Sequence, residues 1–117
     1  MSAKVTVALQ VLCTDYHVTL CFFRTTGKLA KVSTSDAAGL ATVTAVEYWP
    51  GPDVTVALVD SDLVRDRCRY WWPLGYKYQG HAYRAHFTIG RGDLRALTAV
   101  APGQVYPVGA EYFRIYG

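Results

Sequence analysis

Histidine followed two places later by threonine occurs twice in this chain, as His17-Val18-Thr19-Leu20 and as His86-Phe87-Thr88-Ile89. In an extended backbone, residues i and i+2 share a face and i+1 and i+3 share the other. His17 therefore projects with Thr19, and His86 with Thr88, while Val18, Leu20, Phe87 and Ile89 turn toward a core. Two such pairs aimed at one place suit chemistry at a phosphodiester. One imidazole accepts a proton from the attacking water or hydroxyl, and the other donates one to the leaving oxygen. An unperturbed pKa of about 6.5 makes both forms accessible near neutrality. Threonine hydroxyls can donate to non-bridging oxygens, and a protonated imidazole stabilises the charge that builds up there. General acid and general base help contribute about 10² to 10⁴ each. The arrangement requires no metal, and the near symmetry of the two motifs leaves open which histidine is the acid.

Each motif needs a strand to carry it. Residues 5–12 alternate Val5, Val7, Leu9 and Val11 against Lys4, Thr6 and Gln10, which predicts a strand. Thr14-Asp15 is a turn, and residues 16–23 form a second, antiparallel strand holding the first motif. Residues 25–41 fit neither period well, and a short helix capped by Ser35 or Asp36 is expected there. Residues 42–49 and 54–59 read as a hairpin around Pro50-Gly51-Pro52-Asp53. Asp60-Ser61-Asp62 then offers an N-cap to a helix whose face is Leu63, Val64, Arg67, Cys68 and Trp71, ended by Pro73 and Gly75. Residues 76–85 are an aromatic, basic approach to the second motif strand at 86–90. A short helix over 93–100, stopped by Pro102-Gly103, and a closing strand over 111–116 complete the pattern. The count predicts one α+β domain over residues 1–117, mostly antiparallel sheet with two or three short helices.

Composition narrows the classes. The 117 residues suffice for one core and not for two. With 51% hydrophobic and 18% charged residues the chain is globular, not disordered. A net charge of +3 suits an anionic ligand but falls short of what duplex DNA binding demands, so no duplex DNA partner is expected. Three cysteines, Cys13, Cys21 and Cys68, without C-x-x-C spacing point to neither a disulfide framework nor a thiolate zinc site, and fit a reducing cytoplasm. The apolar stretch ending at Cys13 could be a lipoprotein signal, but Leu12 is too bulky for the residue before a cut, and the alternation reads as a strand instead. No run is long enough to span a membrane, so no membrane partner is expected. Convergence of His17, His81 and His86 with Asp15 on a metal would be a different site; the spacing matches no familiar zinc pattern, and no metal or cofactor is expected.

HVTL at 17–20, HFTI at 86–89 and the lead-in GYKYQGHAYRAHFTIGR resemble the two-histidine (2H) phosphoesterase superfamily, which includes 2′,5′ RNA-ligase-like and cyclic phosphodiesterase enzymes. The likeness runs through nearly the whole chain in order. It implies a bilobal, pseudo-twofold arrangement of antiparallel sheets around a central groove, with the motifs facing each other across it. It implies His17, Thr19, His86 and Thr88 as catalytic residues of a metal-independent phosphodiesterase. The substrate would be a small RNA-like molecule or a cyclic (oligo)nucleotide. Opening of 2′,3′-cyclic phosphates or 2′,5′ linkages at RNA ends is one such activity. Hydrolysis of cyclic nucleotide defence signals, as by compact phage proteins of the anti-CBASS kind working in a host cytoplasm, is another.

Around the motifs, Arg91 is the preferred phosphate partner, because the family often has a basic residue just after the second motif; Arg24, Lys77 and Arg84 are weaker candidates. Tyr16, Tyr83 and His81 are candidate substrate contacts, the tyrosines as rings on which a nucleobase stacks. Tyr76 and Tyr78 could stack in the same way, but most of the aromatic residues here, Trp71 and Trp72 included, read as core or rim packing, and Tyr16 reads equally as a packed strand residue. The competing class is a binding module that sequesters a nucleotide or RNA without cutting it. A protein with no ligand, in which both motifs are ordinary strand segments, is the third reading.

Overall fold

The computed structural model describes residues 3–25, 34–74 and 82–116 of the chain. Among these residues, six strands, β1 (Ala3–Val11), β2 (His17–Thr25), β3 (Gly39–Trp49), β4 (Val54–Asp60), β5 (His86–Arg91) and β6 (Val105–Tyr116), and one α-helix, α1 (Asp62–Trp71), make an α+β fold. All strand pairs are antiparallel, and the sheet order is β2-β1-β6-β3-β4-β5. Both motif strands are therefore outermost. Going inward from either end one meets a motif strand, its neighbour, and then β6 or β3. The two three-stranded halves join where Gly39, Leu40, Ala41 and Thr42 of β3 pair with Val108, Pro107, Tyr106 and Val105 of β6. Beyond that joint β6 continues alone along β1, after Ala110 takes a left-handed backbone conformation (φ 50°).

Alternation decides what each strand buries. Val5, Val7, Leu9 and Val11 of β1 are fully buried, as are Val18 and Leu20 of β2 and Phe87 of β5. The apolar face of α1 closes this core with Val64, Cys68 and Trp71. Burying a side chain of this size is worth about 1.5–3 kcal/mol relative to leaving it exposed. Helix α1 begins where Ser61, itself extended, accepts the Val64 N–H on its hydroxyl at 3.3 Å. It gives way after Trp71 to a 3₁₀ turn over Trp72–Leu74, since Pro73 has no N–H to continue the ladder.

The remaining helix predictions are corrected. Residues 34–38 are irregular, and β3 starts at Gly39. Ser35 uses its hydroxyl to accept the Ala37 N–H and donates its own N–H to Glu111, so it organises a docking segment, not a helix cap. The part of that expectation falling on residues 26–33 lies outside the described residues. Residues 93–100 form a single turn, closed by Leu97 and Thr98 N–H groups on the Leu94 carbonyl. The Thr98 hydroxyl then takes the Val100 N–H, which ends the turn locally. The last strand is longer than its alternation suggested, because Pro107 and Gly109 interrupt the pattern without interrupting the pairing.

Candidate active site

The first motif begins at the β1–β2 turn, which is held by side chains. The Gln10 amide donates to the carbonyls of Thr14 (2.7 Å) and Tyr16 (3.1 Å). The Thr14 hydroxyl donates to the Val11 carbonyl at 2.7 Å and accepts the Tyr16 N–H at 2.9 Å, while Cys13 takes the left-handed corner (φ 62°). His17, opposite Gln10 in the register, thus starts β2 from a braced turn. His17 is exposed and Thr19 half-buried, with Val18 and Leu20 buried behind them, as the alternation requires.

The second motif enters β5 through residues 82–85. His86 stands opposite Leu58 and Thr88 opposite Val56. His86 is half-buried and Thr88 exposed, with Phe87 fully buried behind. The His86 ring nitrogen Nδ1 lies 2.7 Å from the Arg84 carbonyl. Its edge meets the Trp49 indole with ring centroids 4.7 Å apart.

Although β2 and β5 are the two ends of the sheet order, the sheet curls until they touch. Tyr16 stacks on Phe87 at 4.9 Å and 16° between planes, so the neighbour of one histidine lies flat on the neighbour of the other. The Tyr83 hydroxyl donates to the Thr19 carbonyl at 2.8 Å. Leu20 is the extra residue of a bulge between the pairs Val7–Cys21 and Ala8–Thr19. Its carbonyl faces Trp72 Nε1 at 3.3 Å and Cys68 Sγ at 3.9 Å. Side chains of α1 and the segment after it thereby occupy an edge that another strand would otherwise fill.

His17 and His86 lie within electrostatic reach of each other. Partial burial lowers the His17 pKa, and the positive charges of Arg114 and His86 lower it further. Burial also lowers that of His86; the hydrogen bond to the Arg84 carbonyl opposes this, and the Arg84 guanidinium adds to it. Among the described residues no three His, Cys, Asp or Glu side chains converge as a metal-binding set. No described helix is long and apolar enough to cross a membrane.

The structure brings the strands that carry His17, Thr19, His86 and Thr88 into contact but distributes the surrounding candidates differently. Tyr16 and Tyr83 are half-buried and engaged in joining the two edges. Arg91 is exposed at the far end of β5, about 16 Å of extended strand from His86 at roughly 3.3 Å per residue. His81 lies outside the described residues, as do Tyr76, Lys77 and Tyr78. Of the weaker candidates, Arg84 is paired with Glu47 through both carboxylate oxygens, at 3.1 Å each. Gln10, Trp49 and Arg114 escape a reading of the sequence. Strand pairing puts Gln10 beside His17 and Arg114 on the strand two removed from the first motif, while Trp49, whose partner on β4 is Val54, meets His86 only through its ring. A cleft of about 240 Å³ lined by Arg65, Cys68, Arg69, Trp72 and Tyr83 opens on the helix side of the seam, where Asp60 and Asp62 already hold the Arg65 guanidinium.

No model of a known protein family matches the chain, and no curated protein matches it.

Proposed function

We propose that the chain is a metal-independent phosphodiesterase that uses His17 and His86 as an acid–base pair on a small RNA-like or cyclic nucleotide. The observation that carries this reading is the meeting of the two motif strands at the stacked Tyr16 and Phe87, with the charge of His86 among the causes that lower the His17 pKa. The symmetric strand order, a motif strand outermost in each half, supports the pseudo-twofold, two-lobed plan of the 2H phosphoesterases that the sequence resembles. In the reaction a neutral imidazole takes the proton of the attacking hydroxyl or water, and the other, protonated, returns one to the leaving oxygen. Thr19 and Thr88 donate to non-bridging oxygens, and the positive field of Arg114 draws the phosphate toward His17.

The test is incubation with 2′,3′-cyclic, 2′,5′-linked and cyclic oligonucleotide substrates in EDTA, with products read by mass. Turnover is expected in EDTA, and His17→Ala or His86→Ala should each lower it by about 10² to 10⁴ while the chain stays folded. Near-wild-type turnover in either variant, or complete loss in EDTA, would overturn the reading. Stoichiometric binding with every ligand returned intact would show instead a module that sequesters a nucleotide or RNA.

A further inference from the structure

Glu47 and Trp49 stand two places apart on β3 and so on one face of it, a strand away from β5. Five contacts tie Glu47, Trp49, Arg84 and His86 together. The Trp49 Nε1–H donates to Glu47 Oε1 at 3.0 Å. The same carboxylate takes both ends of the Arg84 guanidinium, at 3.1 Å each, which fixes a planar fork instead of a single contact. That guanidinium lies 5.8 Å over the Trp49 ring. Finally, Trp49 packs edge-on to the His86 ring, whose Nδ1 sits 2.7 Å from the carbonyl of Arg84 itself. A carbonyl can only accept, so Nδ1 carries the proton, and in the neutral ring Nε2 is then the bare nitrogen.

We propose that Glu47, Trp49 and Arg84 are positioning residues that hold His86 as its Nδ1–H tautomer with Nε2 as the proton-transferring atom. The Glu47–Arg84 fork anchors the residue whose carbonyl takes the proton, and the indole wall stops the ring from turning over. Without the wall and the anchored carbonyl, a turn about χ2 would put Cδ2 and Cε1 where Nδ1 and Nε2 stand, take Nδ1–H away from its acceptor and let the proton settle on Nε2 instead. The catalytic consequence rests on the two-histidine reading; the tautomer does not.

The experiment is ¹⁵N–¹H NMR of the imidazole nitrogens of the full chain above the His86 titration range. It compares wild type with Glu47→Gln, Trp49→Leu and Arg84→Gln, beside steady-state kinetics on any substrate of the panel that is turned over. Wild-type His86 should show a protonated Nδ1 and an unprotonated Nε2. Each variant should shift that tautomer ratio by about fivefold, the scale of one net hydrogen bond. Turnover should fall by about tenfold in kcat with KM changed less than twofold, because the ring is misdirected and not removed. The Glu47 variant changes the partly buried side of the fork and the Arg84 variant its more exposed side, so a folding defect in one leaves the other to decide. A wild-type ring found mainly as the Nε2–H tautomer, or variants that unfold nothing and leave the ratio unmoved, would overturn the proposal. A chain with the expected tautomer and no turnover would overturn the two-histidine reading instead.

Discussion

At the scale of single residues, the lowered pKa values of His17 and His86 make pH the most informative variable. Both rings are harder to protonate in the folded chain than the ordinary value of 6.5, chiefly because of burial. A catalyst needing one neutral and one charged imidazole works best between the two values, so kcat/KM should be bell-shaped with its maximum on the acid side of 6.5. Stability responds the opposite way. Below 6.5 the unfolded chain binds protons that the folded chain still refuses, so stability falls as pH drops through that window. It levels off once the folded rings are protonated too, and above the window the effect vanishes. Urea denaturation at pH 7 and pH 5 should show the loss, and His17→Gln with His86→Gln should reduce it; an unchanged pH dependence in the double variant would refute this account. The residue types of the site were legible in the sequence, because the H-x-T spacing states its own geometry in an extended chain. The supports were not: Gln10 is one more polar residue in an alternation until the register sets it opposite His17, and Trp49 is one more aromatic in a hairpin until its ring is seen to pack on His86.

Among the elements, α1 and its cap were the most readable, since Ser61, the apolar spacing and Pro73 each report a local preference. Strand β6 was half read. Its pairing partners lie far away in sequence, and nothing local says that Val105 to Val108 belong to a strand. The same distance hid the contact that fastens the helix to it. Arg67 of α1 donates to both oxygens of Glu111 on β6, at 2.7 and 2.9 Å, and that carboxylate also receives the Ser35 N–H. The Glu111 side chain is wholly buried. Arg67→Met should therefore strand a buried carboxylate and cost about 3–5 kcal/mol, whereas Arg67→Met with Glu111→Leu should recover most of the loss. Denaturant midpoints of the two variants decide it: equal destabilisation would mean that the pair gives little beyond packing.

For the molecule as a whole, the important contact is the one that turns an open sheet back on itself. Among the described residues, the Tyr83 hydroxyl on the Thr19 carbonyl and the Tyr16–Phe87 stack bridge the two edges. In the wild type, His86→Gln removes a charge that depresses the His17 pKa, so that pKa should rise in an NMR titration. In a Tyr83→Phe background, about 1 kcal/mol less stable for want of one hydrogen bond, the same substitution should move His17 less. An undiminished response would mean that the edges hold together without Tyr83. Only the pairing of the motifs and the family they resemble pointed to a meeting at this seam, because a two-residue period says which face a side chain takes and nothing about how far a sheet bends. The long β6, shared between the halves, bears on the order of events in synthesis. Both histidines leave the ribosome before the strand that unites their supports, so a nascent chain carries each motif strand without a joint between them. Capture of residues 105–116 by two partners at once is then the step that turns separate hairpins into one sheet, and contacts so distant in sequence make that step slow.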